Sequence, residues 1–251
     1  MKDIKHMQKK SDDTASWYES NVHKYFDECE IGAVLNVLRR IVPEKSKNLT
    51  VLDIGCGTGR FFNDLRETFD ADVFGIDYSI NRAEIAMKKS KTVVVADGRY
   101  LPFKDNTFDV CLSVEVIQHI PGRKDRIRYL TELKRVLKSE GRFILATIND
   151  NWWKRVLKRS ILKRNVLNDI GTTYYYSLKE LCDDVLEAGL KIRIKSGYLF
   201  FGHYEYNTKS LRFRFKRELM KIDWTLSYLL SNLPDFLLLG GFKSHEESEK
   251  K

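Results

Sequence analysis

The sequence predicts an α/β fold, a largely parallel sheet with helices packed on both faces. Three observations predict it. Five short apolar runs, at 51–54, 73–76, 93–96, 110–114 and 142–147, alternate with helical periodicity at about 60–68, 80–89 and 124–138. Such continuous runs, rather than strict alternation, mark strands buried on both sides. The first run then enters Asp53-Ile54-Gly55-Cys56-Gly57-Thr58-Gly59, a turn with glycine at every second position and a helical segment after it. Acids stand at the ends of the second and third runs, Asp77 and Asp97, where an open parallel sheet places its ligand contacts.

The elements follow in order. Residues 1–16 read as a polar lead. Apolar positions Trp17, Val22, Tyr25, Phe26, Val34, Leu35, Val37, Leu38 and Ile41 predict one or two helices before a linker at 43–48. Residues 1–48 therefore form an N-terminal helical lead, and 49–251 the main domain. After Thr147 the pattern changes. Residues 152–164 are basic and amphipathic, the core of a helical insert at 151–176. A helix at 177–188 begins with Ser177 as cap and Glu180 closing a capping box, and Gly189 ends it. A strand follows at 190–194. Phe215, Leu219, Ile222, Leu226 and Leu229 lie on one face of a helix at about 208–230, within a second helical insert at 205–235. A last strand covers 237–242.

A chain of 251 residues, 43% hydrophobic and 31% charged, can bury a substantial core and is of soluble globular composition. Cys29, Cys56, Cys111 and Cys182 are far apart and form no CxxC pair, so they read as reduced thiols rather than a disulfide or zinc framework. The N-terminus has no apolar secretory core, and the apolar stretch at 226–242 is interrupted by Ser231, Asn232, Pro234 and Asp235. A cytoplasmic location is the expectation. The net charge of +9 is concentrated: residues 152–164 hold six bases and no acid, and residues 205–221 hold six bases and two acids. Both windows lie outside the glycine-rich part, so the charge concerns a partner rather than a cofactor.

The glycine turn admits several ligands when read alone, or none. Glycine permits the φ values of such a turn and the approach of a ligand that a Cβ would block. A dinucleotide turn needs a third glycine where this chain has Arg60, and a P-loop needs Lys-Ser/Thr where it has Arg60-Phe61. Asp77 lies 22 residues beyond Gly55, near the offset at which a carboxylate accepts from ribose hydroxyls; its alternative is a solvated turn acid. Asp97 suits an adenine amine, or serves as an N-cap or Asx-turn residue. His119, the histidine nearest these positions, can take a proton from an acceptor or simply shape the loop after the fourth strand.

Taken in order, Leu52-Asp53-x-Gly55-Cys56-Gly57-x-Gly59, Gly75-Ile76-Asp77, Ala96-Asp97 with Leu101-Pro102-Phe103, Phe108-Asp109, and Arg135-Val136-Leu137-Lys138 resemble the signature of the class I, type 11-like, S-adenosylmethionine (SAM)-dependent methyltransferases. One departure is Ser139-Glu140-Gly141 in place of Pro-Gly-Gly. The resemblance implies a Rossmann-like, doubly wound seven-stranded sheet, mostly parallel with an antiparallel last strand, and a helical cap between strands five and six. It implies SAM as cofactor. Gly55, Cys56 and Gly57 would present backbone to the methionine part with Asp53 beneath, and Asp77 would hold the ribose. Tyr78 would pack beside the adenine, Asp97 and Gly98 would edge the base, and Ser113 and Val114 would lie under the methionyl moiety. Tyr18 or Tyr25 would close over the cofactor, or pack in the core.

The acceptor is left to the basic segments. Trp152-Trp153-Lys154-Arg155-Val156-Leu157-Lys158-Arg159 continues as paired apolar and paired basic residues. On a helix this gives an apolar, aromatic face flanked by cations, suited to an anionic membrane surface. The same composition suits RNA phosphates with tryptophan stacking, or a cap whose bases are solvated. The first expectation is a small-molecule or lipid-like acceptor. The second is RNA, because residues 101–109 also resemble the tRNA wobble-uridine methyltransferases, which carry two adjacent histidines where this chain has Gln118-His119.

Overall fold

The computed structural model describes residues 24–44, 46–150, 165–168, 171–198, 229–231 and 234–244. A seven-stranded sheet runs in the order β3-β2-β1-β4-β5-β9-β8. Its strands are β1 (Thr50–Ile54), β2 (Asp72–Asp77), β3 (Val93–Val95), β4 (Phe108–Val114), β5 (Leu137–Ile148), β8 (Lys191–Tyr198) and β9 (Phe236–Phe242). β1 pairs in parallel with β2 and β4, and β4 with β5. β9 lies antiparallel to both β5 and β8. The sheet is thus mostly parallel, with the expected antiparallel last strand.

Both faces are covered because neighbouring residues of each strand enter different cores. Val51 and Val73 join Val34, Leu38 and Ile41 of α1 (Lys24–Ile41), Phe62 and Leu65 of α2 (Phe62–Phe69), and Ala83 and Ala86 of α3 (Ile80–Met87). Leu52 and Ile76 join Tyr129, Leu130, Leu133 and Val136 of α4 (Arg123–Val136), and Leu181 and Val185 of α5 (Leu178–Glu187). Leu130 and Leu133 are fully buried, each contributing roughly 1.5–3 kcal/mol. The capping box of α5 forms as the sequence predicts: Ser177 Oγ accepts from the Glu180 N–H, and the Glu180 carboxylate accepts from the Ser177 N–H.

Two of the recurring motifs hold the scaffold. At the amino edge of the sheet, Asp109 Oδ2 accepts from Thr50 N, Thr50 Oγ1 and Lys138 Nζ at 2.9, 2.6 and 2.9 Å, binding the starts of β4 and β1 to the α4–β5 junction. Arg135 donates to the carbonyls of Leu101 and Phe103 and is ion-paired with Glu132 and Asp105. Glu132 in turn accepts from the Leu101 N–H at 2.8 Å. The Leu-Pro-Phe loop and the Arg-Val-Leu-Lys helix end therefore occur together because one clamps the other.

Three details differ from the sequence reading. β5 begins at Leu137 and not at Arg142, and α4 stops at Val136. Glu140, in the Ser-Glu-Gly departure, sits at φ 60°, a left-handed conformation that glycine adopts freely and that costs other residues about 1–2 kcal/mol. It lies at the amino edge, away from the glycine turn. Within the insert between β5 and β8, β6 (Asn165–Asn168) and β7 (Gly171–Tyr174) pair as an antiparallel hairpin. The expected basic helix at 152–164 and the helix at 208–230, apart from its end at 229–230, lie outside the described residues, as do Tyr18 and the side chain of Tyr25. No described helix is long and apolar enough to cross a membrane.

Candidate active site

From β1 the chain runs outward to β2 and β3, then returns to the other side of β1 as β4. This reversal opens a crevice at the carboxyl ends of β1 and β4, where such sheets bind ligands. The exits of the two strands touch. A Cβ on Gly55, whose φ is +77°, would lie 2.3 Å from Val116 Cγ2, so glycine is required there by the neighbouring exit as well as by the turn. Gly57 differs: its φ is +55°, and a Cβ would meet nothing within 4 Å. The bare surface open to a ligand is at Gly57.

The turn is fastened to β2. Gly55 N and Cys56 N both donate to Ile76 O at 2.8 Å, and Gly57 N donates to Asp77 Oδ2 at 2.8 Å. The N–H groups of all three residues are therefore spent within the fold, and a ligand meets their surface rather than those donors. Cys56 is buried, and burial raises its thiol above the usual range. Asp77 Oδ1 accepts from Ser79 N at 2.8 Å, and Ser79 caps α3. Each Asp77 oxygen thus accepts from a backbone N–H, and the carboxylate stands at the end of β2, the position that suits ribose hydroxyls.

Beside it, burial and then the nearby Asp97 hold the Tyr78 phenol above its ordinary range. Asp97 is more committed than the sequence reading required. It accepts from Arg99 N at 2.9 Å as a turn residue and takes a two-pronged ion pair from the Arg99 guanidinium, with Nη2 to Oδ2 at 2.6 Å. An adenine amine would share this carboxylate with Arg99. Gly98 lies where a Cβ would be 2.5 Å from the Tyr129 ring, and Tyr129 OH bonds Ser113 Oγ at 2.6 Å. Ser113 is fully buried with its hydroxyl so engaged, and Val114 is buried toward α1.

At the exit of β4, Glu115 adopts φ 59°, unusual for a residue without a turn-forming side chain. His119 closes a short 3₁₀ turn (Ile117–His119). Its Nδ1 is buried without a hydrogen-bond partner. Burial first, and Arg82 second, lower its pKa to about 4, so the ring is neutral and only weakly basic at neutral pH. Gln118 faces inward, accepting from Thr147 Oγ1 at 2.8 Å.

Beneath the turn, around the Asp53 that the sequence named, lies a group of charges that sequence reasoning missed. Glu30 of α1 is fully buried, ion-paired with Arg60, and accepts from the Tyr198 hydroxyl of β8. Asp53, at the end of β1, is 2% exposed, and its Oδ2 has no hydrogen-bond partner. Nothing local in the sequence links these residues. The one available signal was Arg60, a charged residue immediately after the last glycine.

The family model described as a methyltransferase domain matches residues 52–145, the span from β1 to β5. An uncharacterized protein of Methanocaldococcus jannaschii is 33% identical over 69% of this chain and 79% of its own length. The probable tRNA methyltransferase 9B of Bos taurus is 33% identical over 60% of this chain and 31% of its own. The chain spans from 31% to 49% of the length of the first curated relatives it matches. Among solved structures, a SAM-dependent methyltransferase of Thermotoga maritima, described as a possible histamine N-methyltransferase, shares the fold with a TM-score of 0.65 at 22% identity, covering 95% of this chain and 100% of that one. The chain belongs to the class I SAM-dependent methyltransferases. The crevice fits that cofactor on the chain's own terms: open space at Gly57, the Asp77 carboxylate at the end of β2, and a buried Asp53 oxygen without a donor.

Proposed function

We propose that this chain transfers a methyl group from SAM to a lipid-like acceptor at an anionic membrane surface. SAM supplies a methyl group already activated for displacement. The protein's part is then to hold the partners in line and exclude water, for which no strong base is needed. His119, neutral and weakly basic, fits a positioning role at the β4 exit better than that of a proton sink.

The observation that carries the acceptor is topological. Ile148, the last residue of β5, and Tyr198, the last of β8, both pair with Phe236. The chain therefore departs into its two basic segments, 152–164 and 205–221, from one row of the sheet, at the same edge as the glycine turn. The bases of both segments, with Trp152 and Trp153 in the first, give a composition that suits lipid headgroups.

The experiment is transfer from methyl-labelled SAM into lipid, RNA and small-molecule fractions, paired with sedimentation on anionic vesicles. Label is expected in the lipid fraction. Neutralising Lys154, Arg155, Lys158 and Arg159 should weaken vesicle binding roughly a thousandfold, since each base near an anionic surface contributes about 1 kcal/mol. Label confined to water-soluble small molecules, with no vesicle binding, would defeat the reading.

A second reading, methyl transfer to tRNA, is favoured by the similarity to tRNA methyltransferase 9B. Against it stands position 118, where the paired histidines of the wobble-uridine enzymes are replaced by a glutamine turned into the sheet. Label in RNA, with binding that falls steeply with salt, would establish it.

A further inference from the structure

The buried charges beneath the glycine turn have no place yet in the methyl-transfer scheme. Asp53 is enclosed from every side. It feels the charges of Arg60 in the turn, Asp77 of β2 and Glu30 of α1, and in turn acts on the Cys56 thiol and the Tyr129 phenol. Among these groups only Arg60 is cationic, and Arg60 is ion-paired with Glu30. A carboxylate with no donor on Oδ2, and with acids on two sides, is held at a cost that protonation removes. Burial foremost, then Asp77 and Glu30 against the opposing pull of Arg60, raise its pKa to about 7.

We propose that Asp53 carries a proton in the cofactor-free protein and releases it when SAM binds, so that cofactor affinity is coupled to pH through this buried carboxyl. The inference rests on the reading that this edge binds SAM. The step balances simply: the Asp53 O–H bond breaks, the proton passes to solvent, and the carboxylate left behind faces the positive charge that has entered. No electrons are exchanged, and the net buried charge is the same before and after. Glu30 tunes the step, because its negative charge holds the Asp53 proton more tightly.

The test is calorimetric titration of the full chain with SAM between pH 5.5 and 7.5, in buffers of differing ionisation enthalpy so that released protons are counted. This window lies below the titration of the cofactor's own α-amine, near 7.7–8.0. A pKa near 7 that falls on binding predicts affinity rising roughly 20-fold across the window, with close to one proton released at the acid end. Asp53→Asn should flatten both dependences. Glu30→Gln should move the window to lower pH, leaving less than the wild-type rise over the same range, a shift that loss of structure would not produce. A wild-type affinity independent of pH, with no proton released, overturns the proposal without any variant. Failure of SAM to bind at any pH would overturn the cofactor reading instead.

Discussion

Asp77→Ala should raise the Kd for SAM at least a hundredfold in calorimetry. In the proposed cofactor site the carboxylate accepts two ribose hydroxyls, and hydrogen bonds to a charged group are worth about 1.5–3 kcal/mol each. Two of them give roughly 3–6 kcal/mol, or two to four decades of affinity. The substitution also strips Gly57 N and Ser79 N of their acceptor, loosening the glycine turn and the cap of α3 together. Asp77→Asn keeps one oxygen and the side-chain shape, so it should fall between alanine and wild type. Undiminished affinity in the alanine variant would remove Asp77 from the ribose site.

The largest effect on folding is expected far from that site. Gly241 lies in β9 between Phe143 of β5 and Ile192 of β8, beside the bulge that shifts the β8 register. A Cβ there would stand 2.0 Å from Lys191 O and 2.6 Å from the Phe143 ring. The first obstacle is backbone, and the second is a fully buried ring in the core against α4 and α5, so neither can give way cheaply. Gly241→Ala should cost about 3 kcal/mol or more, the upper range of overpacking, and lower Tm by roughly 10 °C for a chain of this size. A melting point within about 2 °C of wild type would show that β9 is looser than its register implies.

These two residues differ in how far the sequence revealed them. The position of Asp77 was legible because its setting is local: a strand, an acid at its end, and a fixed offset from a glycine turn. The same holds for the capping box of α5, whose partners Ser177 and Glu180 are three residues apart. The parallel sheet with helices on both faces followed from apolar runs alternating with helical periodicity, but the limits of the strands did not. Leu130, Leu133, Val136 and Leu137 continue a helical rhythm past the true end of α4, and no glycine breaks it before Gly141. The β6–β7 hairpin was hidden by the stronger periodicity of the basic run before it.

What could not be read was assembled by the fold across long separations. Tyr198 and Glu30 stand 168 residues apart, yet the sheet and α1 bring them into contact, and Arg60 joins them from the turn. The motif residues also divide in a way that order alone conceals. Asp109 and Arg135 brace the scaffold, whereas Asp77 and Gly57 border the crevice and Asp53 lies buried beneath the turn. Recurrence marked both groups equally, and only the geometry separates those that hold the sheet from those that face a ligand.

The central claim is that the carboxyl edge between β1 and β4 is the cofactor site. A crystal structure of the full chain grown with S-adenosylhomocysteine tests it most directly. The account predicts the nucleoside across the ends of β1 and β2, with ribose oxygens within hydrogen-bond distance of Asp77 and the amino-acid portion against Gly57. Density for the ligand elsewhere on the chain, with no ligand atom bonded to Asp77, would contradict it.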